Sequence, residues 1–135
     1  MRLRLLSFSM LAFAQAPVVM NRYDAAATGA NTHEQVLNTR DVNPAQFGKL
    51  YSYYVDGAVY AQPLYLPSIS IAGATHNVLY VATMNDKVYA FDADKPGPPL
   101  WMRDFTNEMA GITPVPITDI TGRNDLNLVG NAGFL

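Results

Sequence analysis

The sequence holds no cysteine, which removes disulfides, thiolate metal sites and thiol catalysis while leaving the compartment undecided. Charge is scarce as well. Only 15% of the residues are Asp, Glu, Lys or Arg, the net charge is −2, and no run of Lys or Arg follows residue 4. A nucleic-acid partner therefore lacks its basic footprint, and a polybasic membrane patch is excluded. No apolar run reaches the ~20 residues needed to cross a bilayer, so no membrane span is expected. No helical period is sustained either, and a long helix is not supported anywhere. Half of the chain is nevertheless apolar, which argues against intrinsic disorder. What the composition does supply is eight Tyr, six Phe, nine Gly and nine Pro, the materials of strands and tight turns.

The first residues read apart from the rest. Arg2 and Arg4 form a positive region, Leu5 to Ala14 a short apolar run, and Ala12-Phe13-Ala14 and Ala14-Gln15-Ala16 both have a small-x-small form. Residues 1–14 are predicted to be a secretory signal peptide. Cleavage after Ala14 is favoured over cleavage after Ala16, which would leave Pro17 directly behind the cut. The mature chain is then exported, to the periplasm or the exterior.

Residues 15–49 read as an irregular lead-in. Tyr23 to Thr39 is polar and rich in Ala, Asn and Thr, and Asn43 to Gly48 offers one helical turn. There Asn43 can cap, Pro44 suits the first position, and Gly48 can end the turn left-handed. From Leu50 onward, strand signals alternate with turn chemistry. Leu50 to Val55 ends at the turn pair Asp56-Gly57, and Gln62 to Leu66 has Pro63 near its start. Asn77 to Thr83 and Val88 to Asp92 flank Met84-Asn85-Asp86-Lys87 as the clearest hairpin. Lys95 to Pro99 forms another turn before Leu100 to Phe105. Residues 106–130 are rich in Gly, Pro, Thr and Asp and are expected to form a long loop.

Four short strands within about forty residues match the size of one propeller blade. The expected class is all-β: an antiparallel β-propeller of about one four-stranded blade within residues 50–105. The strand at 50–55 precedes that unit and is expected to complete the last blade of a closed ring. A lone blade is a twisted meander with two apolar faces that only neighbouring blades can bury. Residues 106–135 then lead into a truncated second blade, since the chain stops at Asn131-Ala132-Gly133-Phe134-Leu135 with no turn after its last apolar pair.

Residues 78–101 resemble the repeat of pyrroloquinoline-quinone-type (PQQ-like) propellers, which runs from a strand through Ala-x-Asp and a Thr-Gly turn to a Trp. The matching residues are Ala90, Asp92, Gly97 and Trp101, with one extra residue before Gly97 and Pro96 in place of the usual Thr. The stretches NRYDAAATGAN, NPAQFGKLYSYYVDGAVYAQPLYLP, THNVLYVAT and VYAFDAD are similar to the opening of large secreted bacterial proteins of this kind. The resemblance implies a ring of several blades. It speaks to fold more than to activity, because one ring serves both dehydrogenases and noncatalytic scaffolds. Physically, Asp92 can accept N–H bonds in the turn after it, Ala90 leaves room for a bulky group of an adjacent blade, and Trp101 is the expected bulky group in such contacts.

No residue set announces chemistry. Asp92-Ala93-Asp94 with Gly97, and Asn85-Asp86, supply oxygens, but Lys95, Pro96 and Pro98 stand where a calcium loop needs further acidic ligands. His33 and His76 fall in expected loops, His76 with no carboxylate at close spacing, and Ser52, Ser68 and Ser70 sit in no nucleophile elbow. Tyr51, Tyr53, Tyr54, Tyr60 and Tyr65 could form a sugar-binding surface, but packing is the favoured reading. No catalytic, cofactor-binding or metal-binding residue is assigned. The expected function is that of an exported noncatalytic propeller fragment whose parent binds a protein or polysaccharide of the cell envelope or exterior. The partners are then the remaining blades. The alternative is the N-terminal part of a PQQ-dependent quinoprotein oxidoreductase, whose quinone and calcium would require the complete ring.

Overall fold

In the computed structural model, residues 16–115 are described together with the backbone of 133–134. Residues 1–14, and with them the expected signal peptide, lie outside the described residues, as does most of the expected loop at 106–130. The elements are all strands apart from one short 3-10 turn. They are β1 (Tyr54–Val55), β2 (Leu64–Ile71), β3 (Ala74–Ala82), β4 (Lys87–Asp92), β5 (Trp101–Asp104) and β6 (Gly133–Phe134). Strands β2 to β5 form one antiparallel sheet in sequence order, while β1 pairs with β6. Among the described residues no helix is long and apolar enough to cross a membrane.

Local chemistry explains each connection. Ala72 and Gly73 both have positive φ, 50° and 83°, and join Ile71 to Ala74 as a two-residue hairpin loop of the kind that matches strand twist. Strand β2 therefore runs well past Leu66, where its sequence signal ends. It does so through a bulge, because Leu66 pairs with Val78 but Ile69 pairs with His76, leaving Pro67 and Ser68 opposite Asn77 alone. Proline is tolerated there because a bulge needs no ladder N–H from it. Between β3 and β4, Thr83 N–H bonds to Lys87 C=O at 2.9 Å, and Asp86 takes the left-handed position of the intervening loop, φ 53°.

One face of the sheet is covered by the segment that contains β1. Tyr53, Val55, Val81, Tyr89 and Phe91 form the buried cluster, with Tyr51, Val59 and Leu79 packed against it. The rings of Tyr53 and Phe91 stack with centroids 4.4 Å apart, so Tyr51 and Tyr53 are core residues here. Tyr54 and Tyr60 are exposed. The segment is fastened at both ends. Tyr51 and Tyr53 donate their hydroxyls to the carbonyls of Ala93 and Asp92, and Met84 N–H reaches Ala58 C=O at 3.0 Å. Gly57, with φ 96°, is buried against Asn85.

On the other face, Leu64, Tyr80, Ala90 and Trp101 lie in one cross-strand row. The Tyr80 and Trp101 rings meet at 5.9 Å across Ala90, which is fully buried, whereas Trp101 remains 38% exposed. Within this chain it is therefore Tyr80 and Trp101 that explain the small residue between them. In the lead-in, Asn43 heads a single helical turn, with Phe47 N–H on Asn43 C=O at 2.9 Å and Ala45 N–H on its side chain at 3.0 Å. Gly48, expected to end that turn left-handed, is not among the residues of positive φ. Beyond β5, Glu108–Ala110 forms the 3-10 turn, closed by Gly111 in the left-handed region.

Candidate functional site

Strand register builds two polar clusters, one at each end of the sheet. His76, expected in a loop without a carboxylate, lies on β3 instead. Val78 pairs with Asp92 across the sheet, so His76, two residues earlier, shares that face and its Nδ1 lies 2.8 Å from Asp92 Oδ2. Both side chains are largely buried. Lys95 Nζ stands 3.5 Å from the same oxygen, and Asp94 N–H donates to Asp92 Oδ1 at 3.0 Å, the turn role expected for Asp92. The His76 hydrogen bond above all, with the Asp94 N–H and the Lys95 ammonium, holds the Asp92 carboxyl below the usual carboxylate range. Asn77 extends the cluster. Its Nδ2 donates to Asp94 Oδ2 at 2.9 Å, and its Oδ1 accepts from Ser68 N–H in the bulge at 3.0 Å.

At the opposite end, Lys87 and Asp104 are register partners on β4 and β5, with Nζ and Oδ2 3.9 Å apart. Lys87 also donates to Asp56, whose second oxygen accepts from Asn85 Nδ2 at 2.8 Å. The Lys87 hydrogen bond is the main reason that the Asp56 carboxyl lies low, and the same bond raises Lys87. Asp104 is lowered chiefly by the Thr106 hydroxyl, which donates to it at 2.7 Å. Asp56, Asn85, Lys87, Asp104, Thr106 and Glu108 line an open cleft of about 390 Å³.

The chemistry these groups can perform is cross-linking of the fold. A lysine held protonated between carboxylates is a poor nucleophile, and carboxyls held low are poor general acids near neutrality. Asp92 and Asp94 stand at one end of the β3–β4 hairpin, Asn85 and Asp86 at the other, so the oxygens weighed for a calcium loop do not converge. Among the described residues no three of His, Asp or Glu come together as a metal site. His33 is exposed in the lead-in, where its backbone N–H donates to Asn31 at 3.1 Å.

Three of the four repeat residues are not placed to line a quinone pocket. Ala90 is enclosed in the sheet and Asp92 is taken up by His76, Lys95 and Asp94, while Gly97 lies exposed in its turn. No family model, curated protein or solved structure matches the chain. Roles are therefore argued from its own geometry. The long-range partners in both clusters, His76 with Asp92 and Lys87 with Asp56 and Asp104, escape a reading by sequence spacing because they meet only through the folded sheet.

Proposed function

We propose that this chain is an exported piece of a β-propeller, that β2 to β5 form one blade, and that the parent ring binds a protein or cell-envelope polysaccharide without transforming it. The observation that carries the proposal is the order β2-β3-β4-β5, an uninterrupted antiparallel meander with apolar residues on both faces. One face is covered by the β1 segment. The other presents Leu64, Tyr80 and a partly exposed Trp101, the kind of surface that a neighbouring blade covers. The two polar clusters, whose groups satisfy one another, support a structural rather than a reacting role for those residues.

The decisive experiment has two parts. Reading the gene beyond the codon for Leu135 is expected to reveal further Ala-x-Asp…Trp repeats, and a frame without them counts against the ring. The protein made from that whole frame is then tested for retention on peptidoglycan and on cell-surface polysaccharide, and for dye reduction with added pyrroloquinoline quinone and calcium. Retention without dye reduction is the expected result; quinone-dependent reduction would establish the oxidoreductase reading instead.

A further inference from the structure

The two edges of the four-stranded sheet differ. Along β2 the edge is occupied, since Val18 and Tyr65 exchange backbone bonds of 2.8 Å in both directions, and the bulge at Pro67-Ser68 bends the strand beyond. Along β5 all four residues are exposed, none is proline, and the register with β4 is unbroken. Natural sheets usually blunt such an edge with proline, a bulge or inward charge. This one carries Trp101 and Met102, 38% and 48% exposed, beside Arg103, which lies over the Phe105 ring at 6.0 Å, and Asp104.

Which backbone groups face outward follows from the ladders. Thr83 N–H bonds Lys87 C=O, so the odd-numbered residues of β4 turn their backbone groups to β3 and the even-numbered ones to β5. The bond from Phe105 N–H to Asp86 C=O at 2.9 Å agrees. On β5, therefore, Trp101 and Arg103 bond inward, and the N–H and C=O of Met102 and Asp104 point to the edge, which no strand among the described residues covers.

We propose that the β5 edge pairs with the β5 edge of a second copy of this chain, antiparallel, about a two-fold axis at Met102. A two-fold perpendicular to the sheet keeps each face on its own side, so residues pair only with partners of the same parity. Four registers, one centred on each residue of β5, satisfy that rule. Centring on Trp101 would pair Met102 with Leu100, whose N–H already bonds Ala90 C=O at 2.7 Å. Centring on Arg103 sets guanidinium against guanidinium, and centring on Asp104 sets carboxylate against carboxylate; like charges directly opposite are destabilising. Centring on Met102 sets Trp101 against Arg103 of the second copy, twice, giving two cation–π pairs on one face. In that register the outward N–H and C=O of Met102 bond those of the second Met102. The interface is small, so the dimer is of the weak, concentration-dependent class. It is closed, because the other edge is already occupied by Val18.

The test uses the full 135-residue chain. Sedimentation over a concentration series is expected to show a monomer–dimer equilibrium. Met102→Pro removes the central outward N–H without removing a bond to β4, and is expected to leave the monomer folded and abolish the dimer. Arg103→Glu is expected to weaken association about tenfold, by loss of both cation–π pairs. The chain has no cysteine, so Met102→Cys introduces a single thiol. Directly paired Cα atoms about 5.5 Å apart suit a disulfide, so mild oxidation is expected to cross-link this variant efficiently and Asp104→Cys poorly. A wild type that stays monomeric throughout would overturn the proposal. So would association insensitive to Met102→Pro, or equal cross-linking at 102 and 104.

Discussion

Replacing Gly57 by alanine tests how the β1 segment is held on the sheet. Gly57 has φ 96°, and a Cβ there would meet Asn85 Cγ at 2.9 Å, Nδ2 at 3.1 Å and Cβ at 3.2 Å. Left-handed backbone costs an L-residue roughly 1–2 kcal/mol. To make room, Asn85 must give up its 2.8 Å bond to Asp56, which costs about 1 kcal/mol for a partly exposed pair. Loss of unfolded-state freedom on replacing glycine offsets roughly 0.4–1 kcal/mol. The net expectation is a destabilisation of about 2 kcal/mol, read by urea unfolding, with Tm lowered by about 10 °C for a domain of this size. Gly97→Ala is the control: Gly97 has no positive φ and nothing within 4 Å of an added Cβ, so its stability should hold or rise slightly. If both variants melt together, the close approach of Gly57 to Asn85 is not what fixes this segment.

Thr83 Oγ1 is buried and finds no hydrogen-bond partner among the described residues, so Thr83→Val, which keeps the shape, should stabilise by about 1 kcal/mol in urea unfolding; a loss of stability would mean that the hydroxyl is bonded. Ala90→Leu should destabilise by roughly 1–3 kcal/mol through overpacking and shift the fluorescence of the single tryptophan; an unchanged emission spectrum would argue against the Tyr80–Trp101 contact over Ala90. Stability should plateau around neutral pH and fall on both sides. Asp56, Asp92 and Asp104 lie below their unfolded values, so their contribution is present above about pH 4 and is lost as pH falls through the folded values. Lys87 is raised by Asp56, and burial raises Tyr53 and Tyr65. Their contribution is complete below about pH 10 and is lost as pH rises through the folded values. Denaturant midpoints across the pH range check both limbs, and Asp92→Asn should flatten the acid one; midpoints that climb below pH 4 would refute the assignment.

The β3–β4 hairpin was legible because dense β-branched and aromatic runs flank an obvious turn; the structure moved the boundaries at that turn by one residue, while β3 begins at Ala74, three residues before the expected Asn77. The β2–β3 hairpin was not. Its turn is Ala72-Gly73, and alanine at φ 50° is not the asparagine or aspartate that usually marks such loops. Missing that turn left 67–76 outside any strand, and with it went His76, whose partner Asp92 is reached only through strand register. The partner of β1 was equally hidden, since Gly133–Phe134 carries no local sign that it meets Tyr54–Val55. Asp92 was readable because its bond to Asp94 N–H is local.

The bulge at Pro67-Ser68 also acts as a one-residue phase shift in the side-chain alternation of β2. Before it, Leu64 and Leu66 share a face with Val78 and Tyr80; after it, Ile69 and Ile71 take up that same face, and Ser68 and Ser70 are left exposed. Counted by twos along the chain, the leucines and isoleucines would fall on opposite sides. Strand β2 should therefore accept the loss of one residue at 67 or 68, which would remove the bulge and leave Ile69 opposite His76, yet resist a single-residue deletion elsewhere in the strand, which would throw leucines or isoleucines onto the wrong face.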